Sequence, residues 1–278
     1  MSIKITGSTR ILGIIGDPIR QVRAPEVWTA MFARNGVDAV CIPMQVTASG
    51  LNAFLEGAKA LRNFAGLIVT IPHKPASLSQ VAVPTARARH VGAVNVIRVQ
   101  DDGQWAGDIL DGVGFVGGLK ARGQRVEGRK ALVVGTGGVG TAIAFAVAEA
   151  GAEEVAVFDM AQARAEDVAA RIGKTGVPSR VAAADAGDFD LIVNASPMGM
   201  KPDDPLPINL DRLKPGSIVA DVVVHPQMTK LLTAAHERGC FVQPGTHMMD
   251  AQIASMAGFF GFEGGDWSPE AIAQAVGA

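Results

Sequence analysis

The chain has 278 residues, of which 48% are hydrophobic and 19% charged, so it can form one or two folded domains with substantial cores. Its 25 Lys and Arg residues against 27 Asp and Glu residues give a net charge of -2, which argues against binding to nucleic acid or to an anionic membrane. The sequence shows no secretory signal and no apolar run that could span a bilayer, and we expect a cytoplasmic protein, monomeric or homodimeric.

The absence of Tyr, the two Cys residues and the spacing of the His residues exclude or disfavour several classes of enzyme and metal site. Tyr is absent, which excludes a dehydrogenase built on a Tyr–Lys pair. Cys41 and Cys240 lie far apart in apolar segments, and we expect two buried, unreactive thiols. The five His residues show no H-x-x-x-H spacing, and no metal site is expected.

In the first part of the chain, short apolar runs bounded by Gly or Pro alternate with helix-like segments. The predicted strands are 11–15, 39–44 and 66–70, and the predicted helices are 25–34 and 49–61. This alternation is typical of parallel strands joined by crossover helices. We therefore predict an α/β substrate domain with a parallel-rich sheet, formed by residues 1–108 together with 246–278.

The second part repeats this pattern around a glycine-rich turn. Its predicted strands are 130–134, 155–159, 190–194 and 217–224, and helices are predicted at 141–148, 248–260 and 269–276. The pattern predicts a Rossmann-type, doubly wound dinucleotide-binding domain over residues 109–245. The two closing helices have no strand partner, so we expect them to pack on the first domain, with the ligand site in the cleft between domains.

The glycine-rich turn is the most informative segment. It consists of Gly135, Thr136, Gly137, Gly138, Val139 and Gly140, between a strand-like and a helix-like segment. Glycines there let the backbone turn tightly and approach a pyrophosphate, whose charge is met by the N–H groups at the start of the helix. The turn predicts an NAD(P) cofactor.

Asp159 lies about 20 residues beyond the glycines, where a carboxylate at the end of a strand accepts hydrogen bonds from the adenosine ribose. Residues 160–162 contain no Arg or Lys, and the carboxylate would repel a 2′-phosphate. The sequence therefore favours NAD over NADP.

Two polar positions are candidates for catalysis. Lys74 follows a predicted strand, and Asp111 lies where the chain enters the second domain. Hydride transfer from a carbinol needs a group that takes the hydroxyl proton, and a desolvated Lys held by a carboxylate can do so. We assign Lys74 as the acid/base group and Asp111 as its orienting partner. Taken alone, such residues are more often a surface charge and a helix N-cap.

Five motifs, in this order, resemble those of the shikimate dehydrogenase family. They are G-L-I-V-T-I-P-H-K at 66–74, G-A-V-N-V at 92–96, G-D-I-L-D-G-V-G at 107–114, N-A-S-P-M-G-M at 194–200 and G-T-H-M-M-D-A-Q at 245–252. The resemblance implies a two-domain fold and nicotinamide-dependent oxidation of a ring hydroxyl.

The resemblance also implies site residues. Substrate contacts are assigned to Lys74, Asp111, Asn95, Gln252 and Thr70. Cofactor contacts near the nicotinamide are assigned to Asn194, Ser196, Met200 and Gly245.

Several substrate positions depart from the family pattern. Val22 and Ala24 replace two serines that bind the shikimate carboxylate, and Val224 replaces a Tyr. Ile68 and Leu110 likewise stand where the family has Asn and Thr. Hydrogen bonds to a charged group contribute about 1.5–3 kcal/mol each, so losing both serines weakens shikimate binding by roughly 3–6 kcal/mol.

Two interpretations of this pocket stay open. Either Arg20 or Arg23 supplies a replacement clamp for a carboxylate, or the substrate is a ring alcohol or ketone without one. We favour the second, because the five changes are all from polar to apolar.

Other functions compete with a dehydrogenase of this type. A non-catalytic dinucleotide-binding sensor is the alternative from another class, and a folate- or amino-acid-type dehydrogenase fits the fold but not the motifs. We expect His73 to be a cleft-rim residue without a role. His225 stands beside the position of the missing Tyr and could restore a polar contact, but we expect it to be a loop residue before Pro226 without that role.

Overall fold

The computed structural model describes residues 4–277 and divides them into two units. The first unit runs to Leu110 and resumes at Ile253, and the second is Asp111–Gln252. Each unit has an α/β architecture around one sheet, which is the predicted fold class.

The sheet of the first unit is mixed. Its strands are β1 (Arg10–Gly16), β2 (Ala39–Gln45), β3 (Phe64–Val69), β4 (Val83–Pro84), β5 (Val96–Val99) and β6 (Trp105–Asp108), in the order β2-β1-β3-β5-β6-β4. β1 pairs in parallel with β2 and β3, whereas β5 is antiparallel to β3 and to β6. The three predicted strands correspond to β1, β2 and β3.

The sheet of the second unit is entirely parallel. Its strands are β7 (Lys130–Val134), β8 (Glu154–Phe158), β9 (Ser179–Val181), β10 (Leu191–Asn194), β11 (Ile218–Asp221) and β12 (Phe241–Gln243), in the order β12-β11-β10-β7-β8-β9. The strand order changes direction between β7 and β10, and in such sheets the ligand lies beyond the carboxyl ends of these strands.

One predicted strand, 217–224, is too long. β11 ends at Asp221, because the side chain of Asp221 accepts the N–H of Val223 over 3.0 Å. That local bond removes the Val223 amide from the sheet and turns the chain away.

The helices cover the faces of the two sheets. They are α1 (Ala24–Arg34), α2 (Leu51–Ala58), α3 (Lys74–Leu78), α4 (Ala86–Val91), α5 (Asp111–Ala121), α6 (Gly138–Glu149), α7 (Gln162–Gly173), α8 (Lys230–Glu237), α9 (Gly245–Phe259) and α10 (Pro269–Val276). The predicted helices correspond to α1, α2, α6, α9 and α10, although α2 ends three residues early, at Ala58.

An aromatic cluster holds the C-terminal segment against α1. The ring centroids of Trp28 and Trp267 lie 5.5 Å apart and those of Phe32 and Phe262 lie 4.7 Å apart, with the ring planes tilted in both pairs. Aromatic pairs at this spacing add about 0.5–1.5 kcal/mol each beyond the area they bury. The cluster thus joins residues distant in sequence into the core of the first unit.

Both cysteines are buried and free, as predicted. Burial raises the pKa of the Cys41 thiol to about 12, so the reactive thiolate does not form at neutral pH. Within residues 4–277, no group of three His, Cys, Asp or Glu residues is placed to hold a metal ion. No helix in the described part of the chain has the length and apolar character needed to cross a bilayer.

Candidate functional site

Lys74 is the first residue of α3, and it is only 8% exposed. Its carbonyl oxygen accepts the N–H of Val94 over 3.1 Å, which places the start of α3 beside the segment that carries Asn95. Lys side chains are seldom this buried unless their charge has a partner. Lys74 is therefore not the solvated surface charge that its residue type alone would suggest.

Asn95 is fixed at the junction of three strand ends. Its side-chain oxygen accepts the N–H of Leu110 over 2.8 Å, and its own N–H donates to the carbonyl of Asp108 over 2.9 Å. Its carbonyl in turn accepts the N–H of Val69 over 2.8 Å. The two backbone bonds fix the position of Asn95, and the bond from Leu110 orients its side-chain amide.

The loop between β3 and α3 is anchored on the end of β1. The N–H of Thr70 donates to Ile15 over 2.9 Å, and the N–H of Asp17 donates to the carbonyl of Ile71 over 3.0 Å. Thr70 is half-buried at the start of this loop. In the first unit, the structure thus brings Thr70, Lys74 and Asn95 to one edge of the sheet.

The prediction that His73 lies on a cleft rim is wrong. His73 is 1% exposed, and its Nε2 lies 2.6 Å from the carbonyl oxygen of Val46. The side chain points inward because the chain turns into α3 at this residue. His73 therefore ties the loop that carries Lys74 to the segment after β2.

The apolar replacements lie at positions of different burial. Ile68 and Leu110 are buried, whereas Val22, Ala24 and Val224 are half-buried. None of the five side chains can form a hydrogen bond.

The two arginines that could replace the lost serines lie near Val22. The Nε of Arg23 lies 4.0 Å from a carboxylate oxygen of Glu26, one turn along α1, and Arg20 is exposed.

Asp111 and Gln252 are carried by neighbouring helices of the second unit. Asp111, 4% exposed, is the first residue of α5. A Cβ at Gly114 would overlap the carbonyl oxygen of Met248 and would come within 2.7 Å of the Cβ of Gln252. Gly114 therefore allows α9 to pack against α5, which places Gln252 near the turn that begins with Asp111.

The glycine turn is closely packed at two of its glycines and open at a third. Gly135 has φ +99 and packs on the backbone of Ala195, and a Cβ at Gly140 would overlap the carbonyl oxygen of Gly135. Gly137 caps α6, and a Cβ there would meet nothing within 4 Å. The first N–H groups of a helix that begins at such a turn are suited to bind an anionic group. Gly138 and Val139, half-buried, form the first turn.

Asp159, at the end of β8, is attached to the glycine turn. Its carboxylate accepts the N–H and the hydroxyl of Thr136, each over 2.8 Å, and the N–H of Ala161 over 2.8 Å. Partial burial raises the pKa of Asp159, but these bonds together with one from Arg164 outweigh it and hold the pKa below its usual value. Asp159 is therefore ionised at neutral pH.

The structure places a cation beside Asp159 that the residues directly after it in the sequence do not supply. Nη2 of Arg164 donates to Asp159 over 2.9 Å. Residues 160–162 indeed contain no cation, but the first turn of α7 brings Arg164 back towards the end of β8. The side chain of Arg164 is 62% exposed, so it lies at the surface beside the predicted ribose site.

Asn194 organises the loop after β10. Its side-chain oxygen accepts the N–H of Ser196 over 3.1 Å and the hydroxyl of Ser196 over 2.7 Å. Its side-chain NH2 group donates to the carbonyl of Met198 over 2.9 Å. Met200, at the far end of this loop, is 51% exposed. Asn194 and Ser196 therefore shape the loop from within.

Asp221 is a buried carboxylate that lies outside the motifs that predict the site. It accepts hydrogen bonds from Asn194 over 3.0 Å and from the Thr229 hydroxyl over 2.8 Å. Burial raises the pKa of Asp221 to about 6, although its hydrogen bonds oppose the rise. The signal was present in the sequence, since an Asp inside the apolar run 217–224 is an unusual core residue.

Gly245 begins α9 next to the residues that follow Asp221. A Cβ there would lie 2.5 Å from the carbonyl oxygen of Val222, so only glycine permits this approach. Within the second unit, the carboxyl ends of β7, β8, β10, β11 and β12 and the segments that follow them thus carry the residues of this site: the glycine turn, Asp159, Asn194, Ser196, Asp221 and Gly245.

Comparisons with known proteins agree with these motifs. A family model described as shikimate dehydrogenase substrate binding domain matches residues 14–97. A shikimate dehydrogenase (NADP(+)) from Rubrobacter xylanophilus is 36% identical over 252 residues, which cover 88% of each chain. This chain belongs to the shikimate dehydrogenase family.

Two solved structures resemble this family member over nearly its whole length. Shikimate 5-dehydrogenase from Listeria monocytogenes, in complex with shikimate and NAD, is 30% identical with a TM-score of 0.89 and covers 99% of this chain and 98% of its own. The 5-ketofructose reductase of Gluconobacter sp. strain CHM43 is 27% identical with a TM-score of 0.87 and covers 97% and 98%. The family is thus that of oxidoreductases that use a nicotinamide dinucleotide.

Proposed function

We propose that this shikimate dehydrogenase family member oxidises a ring hydroxyl, or reduces the corresponding ketone, in a substrate that carries no carboxylate where shikimate has one. The observation that carries the proposal is the pair Val22 and Ala24, which stand in place of two serines. Without those hydroxyls, shikimate binding would be weaker by about 100- to 10,000-fold.

Further support comes from the other apolar positions and from one relative. Ile68 and Leu110 are buried, so they add apolar surface rather than hydrogen bonds where the family has Asn and Thr. The Gluconobacter protein of similar structure is named for 5-ketofructose, an uncharged keto sugar. A polyhydroxylated ketone or alcohol of this class is the substrate that we propose.

We propose NAD as the preferred cofactor. Asp159 is ionised and accepts four hydrogen bonds from Thr136, Ala161 and Arg164. A ribose hydroxyl can replace one of these donors, whereas a 2′-phosphate would bring two negative charges against the carboxylate. The Listeria structure contains NAD, whereas the shikimate dehydrogenases from Rubrobacter xylanophilus and Rhodospirillum rubrum are named for NADP, which favours the opposite preference.

In the proposed reaction, the nicotinamide cofactor, when bound, supplies or accepts the hydride, and the residues of the protein transfer the proton and bind the substrate. Lys74 donates a proton to the ketone oxygen during reduction and removes it during oxidation, and its burial makes the ammonium a stronger hydrogen-bond donor than one in water. Asp111 is assigned to orient Lys74, and Asn95, Thr70 and Gln252 to hold substrate hydroxyls. The buried amide of Asn95 is already oriented, which reduces the entropy lost on binding.

A substrate panel tests the proposal. Shikimate, quinate, 5-ketofructose and uncharged cyclic polyols are offered with NAD or NADP, or with the reduced forms for ketones, and kcat/KM is measured for each pair. We expect an uncharged compound to exceed shikimate by 100-fold or more. Efficient turnover of shikimate, with kcat/KM of about 10⁴ M⁻¹s⁻¹ or above, would instead favour a carboxylate site built on Arg20 or Arg23.

A further inference from the structure

We infer that Asp221 is a positioning residue of the dinucleotide site, where its carboxylate, acting through Asn194 and Ser196, holds the loop after β10 against the glycine turn. The inference rests on dinucleotide binding alone and does not depend on the substrate or on the preference for NAD.

The first step is the bond between Asp221 and Asn194. Both side chains are almost fully buried, at 2% and 0% exposure, and Nδ2 of Asn194 donates to Oδ1 of Asp221 over 3.0 Å. The same oxygen accepts the N–H of Val223, while Oδ2 accepts the hydroxyl of Thr229. The carboxylate is therefore held from three sides, and it fixes the rotation of the Asn194 amide.

The second step runs from Asn194 to the glycine turn. With its NH2 group held by Asp221, Asn194 presents its oxygen to the N–H and hydroxyl of Ser196. The hydroxyl of Ser196 in turn accepts the N–H of Met198 over 3.2 Å. A Cβ placed on Gly135 would lie 3.0 Å from the backbone nitrogen of Ser196. Movement of this loop would therefore displace the turn that faces the pyrophosphate.

The charge on Asp221 strengthens the first link. A hydrogen bond to an ionised carboxylate is roughly twice as strong as one to a neutral acceptor. The donors to Asp221 are uncharged: the Asn194 amide, the Val223 amide and the Thr229 hydroxyl. Protonation of Asp221 would thus weaken the hydrogen bond from Asn194. No ion pair is affected, because none of these donors is charged.

Among the described residues, the charged groups on the elements around Asp221 are exposed or bound elsewhere, and none of them forms an ion pair with its carboxylate. On α8, Lys230, His236 and Glu237 are exposed, and Lys230 donates to the carbonyl of Asp204 over 3.3 Å. Asp204, in the loop after β10, accepts the N–H groups of Gly199 and Lys201. His225 is exposed in the segment after β11. The neighbouring strands β10 and β12 contain no charged residue. Burial therefore dominates the titration, in line with a pKa of about 6 for Asp221.

The test replaces Asp221 by Asn, which keeps the shape of the side chain and can keep its hydrogen bonds if the Thr229 hydroxyl reverses. NAD and NADP binding are measured by isothermal titration calorimetry between pH 5 and 8. We expect the wild-type Kd for the better-bound dinucleotide to rise about fivefold as the pH falls through 6. Asp221→Asn should show the weaker affinity at all pH values, without that inflection.

Two further variants make the result decisive. Asp190→Asn changes a carboxylate at the opposite end of β10, where it accepts the N–H of Lys130, and it should keep the wild-type profile. Thr229→Val removes one donor to Asp221 and should move the inflection to higher pH. Parallel profiles for wild type and Asp221→Asn would overturn the inference, as would an unmoved inflection in Thr229→Val. Loss of substrate turnover alone would bear on the proposed function and leave this result unchanged.

Discussion

Arg164 donates a hydrogen bond to Asp159 over 2.9 Å, at the point where the sequence places the adenosine ribose. The carboxylate of Asp159 would repel a 2′-phosphate, whereas the guanidinium of Arg164 could bind one. Because Asp159 engages the guanidinium, the positive charge of Arg164 is largely neutralised at this site. We therefore propose that the carboxylate of Asp159 controls the choice between NAD and NADP.

Replacing Asp159 by Asn should move the preference towards NADP. The change removes the repulsion and releases Arg164, whose guanidinium can then pair with a phosphate. We expect the ratio of the NAD and NADP dissociation constants to change by at least tenfold, measured by calorimetry. In the Asp159→Asn background, Arg164→Ala should cancel the gain. A wild-type protein that binds NADP more tightly than NAD would contradict the proposal.

Replacing Lys74 by Ala should lower kcat by about 100-fold or more while leaving the Kd for NAD nearly unchanged. The reason is that Lys74 is assigned to the proton transfer and lies in the unit that does not carry the glycine turn. Lys59→Ala is the matched control, since Lys59 pairs with Glu56 on the surface over 2.8 Å. Undiminished turnover in Lys74→Ala would remove this residue from the mechanism.

Strong local patterns explain how much of the fold could be predicted. Runs such as 11–15 and 130–134 alternate with helical segments, and both are strands in the structure. β4, with two residues, and the antiparallel pair β5 and β6, with four each, are too short to produce a clear periodicity. The end of β11 was missed because it depends on a side chain that bonds its own backbone.

Site residues could be predicted where they lie close together in sequence. They could not be predicted where only the fold brings them into contact. Gly135, Gly140 and Asp159 are recognisable from their spacing, and Thr136 joins Asp159 to the turn in the structure. Arg164 was not predicted because only the first turn of α7 brings it into contact with Asp159, five positions earlier in the chain. His73 was misjudged because a polar residue beside Lys74 suggests exposure, whereas its imidazole bonds a buried carbonyl.

Restoring serines at positions 22 and 24 should increase activity towards shikimate. The double change Val22→Ser and Ala24→Ser supplies two hydroxyl donors for a carboxylate, and both positions are half-buried, so the polar groups can still reach water. We expect kcat/KM for shikimate to rise at least tenfold. Val22→Ala is the control that changes volume without adding a donor. No gain in the double variant, with its fold intact, would point to a carboxylate site elsewhere.

Asp221 should make stability fall with rising pH. Its pKa is about 6 in the folded protein against 3.8 in the unfolded chain, because burial disfavours the charged form. Below the unfolded pKa both states are protonated and there is no penalty. Between the two values only the unfolded chain ionises, so stability declines, and above the folded pKa the loss levels off near 3 kcal/mol, an order-of-magnitude figure.

Asp221→Asn removes this pH dependence, because the amide does not titrate. At pH 7.5 its Tm should exceed that of the wild type by on the order of 5–10 °C, and near pH 4 the difference should vanish. Thermal unfolding followed by circular dichroism over this pH range measures both values. A difference in Tm that stays constant from pH 4 to 7.5 would show that packing, rather than the buried charge, separates the two proteins. Asp190→Asn, at the opposite end of β10, should show no such convergence.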